Sequence, residues 1–216
     1  MVPVISIVGR SGTGKTTLLE KLIKELTRRG YTIGTVKHDV HGFEVDRPGK
    51  DSWRHREAGA STVVLSSPDK MAVIKGVTKE WTAGRIIAAF MSDVDLVVTE
   101  GYKSGDFPKI EVLRKEVSRK PVCAGDELLL AFASDFKIRG KKPVYGLEDF
   151  LGVSDLIEEK VIRAHKAKTV SLVVDGKPVP LKPFIEDLLR EGVLGMITSL
   201  KGCGRPREIE IRVRKK

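Results

Sequence analysis

Gly9-Arg10-Ser11-Gly12-Thr13-Gly14-Lys15-Thr16 fits the pattern G-x-x-x-x-G-K-[ST] at every position. Glycines at this spacing let successive backbone N–H groups turn inward and form a concave anion site at the positive end of a helix. In such a site Lys15 reaches the β- and γ-phosphates of a nucleotide and the Thr16 hydroxyl takes a place on Mg²⁺, with Thr17 next in the first helical turn. A metal held this way needs a carboxylate, and the apolar run at 95–100 offers Asp95 at its start and Glu100 at its end. Five strand steps of about 3.3 Å keep them about 16 Å apart. Ligands of open parallel sheets bind beyond the carboxyl ends of the strands. Asp95 therefore reads as a strand-starting residue. Glu100, followed by Gly101, reads either as support for the metal's water shell and a polarised nucleophile or as the cap of a neighbouring helix.

Two further groups of polar residues exceed what packing needs. Lys37-His38-Asp39, His41, Asp46, Lys50 and Asp51 crowd one loop and its end. They suit a phosphate-rich second ligand or a His-x-x-His metal site. Gly42 and Pro48 argue against the helical turn that would align the two histidines. Trp53, His55 and Arg56 follow, suited to a ligand or a subunit contact. Asp135, after the apolar run 128–133, either accepts the N1 and N2 protons of guanine or ends a strand and caps the next turn. The chain contains no Asn, so the standard guanine motif N-K-x-D is absent.

The elements that must carry these residues alternate in type. Strands are predicted at 4–8, 32–37, 62–66, 70–75, 95–100, 109–113 and 128–133, and helices at 15–29, 51–58, 78–90 and within 147–166. That order predicts an α/β fold, a P-loop NTPase three-layer arrangement with a mostly parallel sheet, over residues 1–167. Residues 168–216 read as a small α+β domain of ββαββ order. It comprises a hairpin over 169–181, a helix over 183–190 closed by Gly192, and strands at 193–200 and 208–214.

The chain has 216 residues, 41% hydrophobic and 31% charged, with formal net charge +10. That is enough apolar material for a core and excludes wholesale disorder. No run approaches the roughly 18 apolar residues of a membrane span. The N-terminal run leads straight into the phosphate motif, so no cleaved signal is expected and a cytoplasmic location is. Cys123 and Cys203 are too few for a disulfide framework and lack zinc spacing. Asn and Gln are both absent, which predicts a thermophilic source. Residues 201–216 carry seven basic groups and two acidic ones. A strand edge kept from aggregating explains this better than a nucleic-acid site, since few aromatics are placed to stack bases.

Gly9–Thr17, Lys37-His38-Asp39 with His41, Asp46-Arg47-Pro48-Gly49-Lys50-Asp51-Ser52, Glu57-Ala58-Gly59-Ala60 and Glu100-Gly101-Tyr102-Lys103 leading to Pro108-Lys109-Ile110-Glu111 together form a pattern. Over residues 2–165 the chain resembles the molybdopterin-guanine dinucleotide biosynthesis protein B family, a branch of the P-loop GTPases. The resemblance implies GTP binding with Mg²⁺, hydrolysis that is slow or absent, and a homodimer. It implies a role beside the guanylyltransferase that joins GMP to molybdopterin, with molybdopterin or its guanylylated form as the second ligand of the 37–52 loop. Two other readings fit the phosphate motif: a kinase or ligase acting on a small anionic acceptor, and a nucleic-acid-binding NTPase using the basic tail.

Overall fold

The computed structural model describes residues 2–39, 42–43, 45–166, 170–175, 177–204, 209–211 and 213. Six strands form one parallel sheet in the order β2-β5-β1-β6-β7-β8. They are β1 (Val4–Val8), β2 (Ile33–Lys37), β5 (Leu96–Glu100), β6 (Lys109–Leu113), β7 (Leu129–Ser134) and β8 (Val144–Tyr145). Between β2 and β5 in sequence lie α2 (Asp51–Glu57), an antiparallel ribbon of β3 (Thr62–Ser66) and β4 (Met71–Lys75), and α3 (Ala83–Phe90).

Alternation along each buried strand divides the core between the two faces. Ile5, Ile7, Leu96, Val98, Ile110 and Val112 pack under α1 (Lys15–Arg28) and α4 (Phe150–Ile157). Val4 and Val97 meet Ala83 and Ile87 of α3 on the opposite face. Helix α1 presents Leu18, Leu19, Leu22 and Leu26 as one buried stripe. It is tied to α4 ionically as well as by packing. Arg29 spans Glu25 of α1 at 2.8 Å, Asp155 of α4 at 2.7 Å and Glu158 at 2.9 Å. The hydrogen bonds from Arg28 and Arg29 pull the Glu25 carboxyl down to about 2. After α4 the chain continues through a π-helical stretch, Glu158–Arg163, into α5 (Ala164–Lys166). Among the described residues no helix is long and apolar enough to cross a membrane.

Three expectations change. The helix expected from 78 starts at Ala83, because Thr82 in extended conformation accepts the Arg85 N–H as an N-cap. This leaves Trp81 outside the helix. Strand β8 adds an edge too short to show a pattern in sequence. In the carboxyl-terminal part, the hairpin of β9 (Leu172–Val174) and β10 (Lys177–Val179) is present, but 193–200 is not a strand. Helix α6 (Pro183–Thr198) runs through Gly192, since Ile185, Leu189, Val193 and Ile197 keep the four-residue spacing of one helical face. The strand expected at 208–214 falls largely outside the described residues; described Ile209, Glu210, Ile211 and Val213 are in no regular element. The boundary expected after 167 also falls on residues outside the description, 167–169.

Candidate nucleotide site

The carboxyl ends of β1, β2, β5 and β6 converge on the phosphate motif. Gly9 has φ 145°, and a Cβ there would come 2.4 Å from the Val112 carbonyl oxygen of β6. Only glycine lets the chain leave β1 this close to its neighbour. Gly12 and Gly14 have φ 76° and 91°, left-handed values that turn the loop into α1. Thr13 is buried and its hydroxyl donates to the Arg10 carbonyl at 3.0 Å, closing the loop on itself. Ser11 lines the cleft beside it, and Thr17 is exposed on the first turn of α1.

Lys15 Nζ donates to the Arg10 carbonyl at 2.9 Å. Burial pulls its pKa below the ordinary lysine value and the nearby Lys103 and Lys37 charges add to this, while Glu100 opposes them. Burial is the largest of these effects, and the Glu100 charge outweighs that of either lysine. Glu100 ends β5 opposite Ile7 of β1 and Lys37 of β2. Both its carboxylate oxygens accept from the Thr16 hydroxyl, at 3.0 and 3.1 Å. A hydroxyl and a carboxylate in contact are hard oxygen donors of the kind Mg²⁺ takes together with phosphates and water. Asp95 sits at the other end of the strand, where its Oδ2 accepts the Thr32 N–H at 2.9 Å and the Thr32 hydroxyl at 2.7 Å. It joins the starts of β2 and β5, as its strand-end position predicts.

The structure divides the 37–51 residues between two places. Lys37, His38 and Asp39 line a cleft of about 920 Å³ with Lys15, Glu100 and Lys103. Its wall carries the aromatic rings of His38, Tyr102 and Trp81, the last of which the pattern of residues does not place there. His38 stacks on Tyr102 at 4.7 Å, and its Nε2 lies 2.8 Å from Glu80 Oε1. Tyr102 has φ 53°, a conformation a bulky residue adopts only under constraint. Burial raises its phenol pKa, with Glu80 adding to the effect. Trp81 lines the same cleft, with the Arg85 guanidinium 3.8 Å above its ring.

Asp46, Lys50 and Asp51 do not line this cleft. The Asp46 Oδ1 accepts the Ser52 hydroxyl at 2.6 Å, pinning the loop to α2. Its Oδ2 is buried without a hydrogen-bond partner, with Arg56 Nη1 3.8 Å away. Lys50 is the N-cap residue of α2, and Asp51 is exposed in its first turn. Nearness in sequence to His38 does not carry these residues into the cleft, because the chain leaves β2 for the separate α2–β3–β4 arm. His41 lies outside the described residues. Among the described residues no group of three or more His, Cys, Asp or Glu could hold a metal.

Asp135 follows β7 and borders a second, open cleft of about 790 Å³ with Arg114, Phe136, Lys137, Tyr145 and Leu147. Its Oδ1 accepts the Lys115 N–H at 2.8 Å. This cleft lies beyond the ends of β7 and β8. Arg114, whose Nη2 would be 3.3 Å from a Cβ on Gly14, joins it to the phosphate loop.

A family profile described as "Molybdopterin guanine dinucleotide synthesis protein B" matches residues 4–135. A Haemophilus influenzae molybdopterin-guanine dinucleotide biosynthesis adapter protein is 36% identical over 168 residues, 77% of this chain and 94% of that one. A putative adapter protein of the same description from Methanocaldococcus jannaschii is 26% identical over 97% of both chains, so its likeness extends through the carboxyl-terminal part. The crystal structure of a molybdopterin-guanine biosynthesis protein B superimposes with TM-score 0.58 at 29% identity, covering 71% of this chain and 97% of that one. The chain belongs to the molybdopterin guanine dinucleotide synthesis protein B family.

Proposed function

We propose that the chain is a GTP- and Mg²⁺-binding adapter in molybdopterin guanine dinucleotide synthesis, acting beside the guanylyltransferase that attaches GMP to molybdopterin. The observation that carries this reading is the Thr16–Glu100 contact at the mouth of a complete phosphate loop. Thr16 and Glu100 would hold the metal, which when bound neutralises phosphate charge. The backbone N–H groups of Gly9–Thr16 and the Lys15 ammonium bind the phosphates, and the cleft at Asp135 takes the base. The experiment is nucleotide competition on the full chain with an Asp135→Asn variant. The amide still accepts the Lys115 N–H, but it cannot accept two protons from guanine as a carboxylate does. Asp135→Asn is expected to weaken GTP by at least about tenfold and to improve XTP relative to GTP. An unchanged GTP/XTP preference removes Asp135 as the reader.

The cleft at Lys37, His38 and Lys103 is proposed to take molybdopterin or its guanylylated form, because it offers cations and aromatic faces next to the phosphate loop. His38→Ala is expected to spare GTP affinity and to abolish stimulation of GMP transfer in a reconstituted assay. Full stimulation by this variant contradicts the assignment.

The homodimer is proposed to form through the β3–β4 arm. A two-stranded ribbon is marginal alone, and this one leaves Val64, Leu65 and Met71 exposed. Leu65→Glu is expected to halve the mass measured by sedimentation. A monomeric wild-type chain overturns the proposal.

A further inference from the structure

The loop after β6 presses on the phosphate loop from the side. A Cβ on Gly14 would lie 3.3 Å from Nη2 of Arg114, and one on Gly12 would lie 3.8 Å from Cγ2 of Val117. The loop is held in shape. The Val117 and Ser118 N–H groups both donate to the Arg114 carbonyl at 2.9 Å, and the Lys115 N–H donates to Asp135. Arg114 thus stands at a junction, flanking Gly14 on one side and lining the β7–β8 cleft on the other.

One of its donors lacks an acceptor. Nε is buried with no hydrogen-bond partner, and no ion pair among the described residues involves the guanidinium. A buried donor without an acceptor is costly, and in native proteins it points to a water, an ion, a ligand or local strain. A guanidinium presents its N–H groups as a rigid fork matched to phosphate oxygens, which bind two of them at once. The ligand this arrangement suits is an anion lying between the phosphate loop and the cleft.

We infer that Arg114 is a built-in clamp on the ribose-proximal phosphate of a bound nucleotide, an inference that rests on the nucleotide reading above. The loop amides and Lys15 face the β- and γ-phosphates. The base occupies the cleft that Arg114 borders. The phosphate attached to the ribose passes between the two, beside the guanidinium. The clamp belongs to the chain itself, so no partner must insert a cation at this point. Asp135 acquires a second role as the positioning residue that fixes the Arg114 loop through Lys115.

The test compares GTP, GDP, GMP and guanosine on the full chain by calorimetry and competition. Arg114→Ala is expected to weaken GTP, GDP and GMP alike by about tenfold, with guanosine and the melting temperature unchanged. Lys15→Ala is expected to weaken GTP and GDP while leaving GMP within about twofold. Arg114→Lys keeps stem and charge without the fork, and is expected to lose about threefold toward GMP. Unchanged GMP affinity in either folded Arg114 variant overturns the clamp, as does an equal loss toward guanosine, which would place Arg114 on the base. If Lys15→Ala binds GTP normally, the phosphate-loop reading fails while the GMP arm still tests Arg114. A wild-type chain that binds none of these nucleotides overturns both.

Discussion

Lys15→Ala is expected to lower nucleoside triphosphate affinity by at least about tenfold, about 1.4 kcal/mol, in a chain that still folds. The ammonium is held beside the loop it serves, on the Arg10 carbonyl, among Lys37 and Lys103. Partial burial and these like charges disfavour its charged form, opposed by Glu100. A triphosphate brings negative charge beside this partly buried ammonium and so favours its charged form. Folding does not depend on it. Buried Leu18, Leu19, Leu22 and Leu26 dock α1 whatever stands at position 15. Calorimetry with circular dichroism on the same sample checks both halves. Unchanged affinity in the folded variant rejects the phosphate site.

Glu100→Gln is expected to leave nucleotide affinity in chelator nearly intact and to remove the tightening that Mg²⁺ brings. An amide still accepts the Thr16 hydroxyl, so the local geometry survives while the charge that attracts a divalent cation is gone. Asp95→Asn, a change on the same strand, is expected to affect neither quantity, because Asp95 serves Thr32 at the far end of the sheet. Titrations with and without EDTA separate the two cases. If Asp95→Asn abolishes the Mg²⁺ effect and Glu100→Gln does not, the metal is placed wrongly.

The Gly9–Thr16 turn was readable because its constraint is local: glycines, Lys15 and Thr16 must follow one another between a buried strand and a helix. Glu100 and Asp95 could be told apart in position because a parallel sheet fixes which strand end adjoins the Gly9–Thr16 turn: Glu100 meets Thr16 there and Asp95 meets Thr32 at the other end. The 37–51 residues show the limit of proximity in sequence. Asp46 and Lys50 are a few residues from His38, yet they serve α2, because a chain leaving an edge strand is free to depart from the site. Trp81 and Arg114 carry no signal of their own, and Tyr102 enters only as part of the Glu100–Lys103 string. Their placement depends on which strand ends are neighbours, and the order β2-β5-β1-β6-β7-β8 is a tertiary property. Gly192 reads as a helix end because glycine is a common one, while the apolar spacing of four on either side carries α6 through it. Strands β1, β5 and β7 were the most legible part, since they are buried and read as short apolar runs, whereas the edge strands β2 and β8 are partly exposed.

The most direct measurement is retention of nucleotide by the full chain after gel filtration with equimolar GTP and ATP, once with Mg²⁺ and once with EDTA. GTP- and Mg²⁺-dependent binding predicts that GTP is retained over ATP by at least about tenfold with Mg²⁺ present and that the retained amount drops when EDTA replaces the metal. Equal retention of ATP, or retention indifferent to the metal, contradicts it.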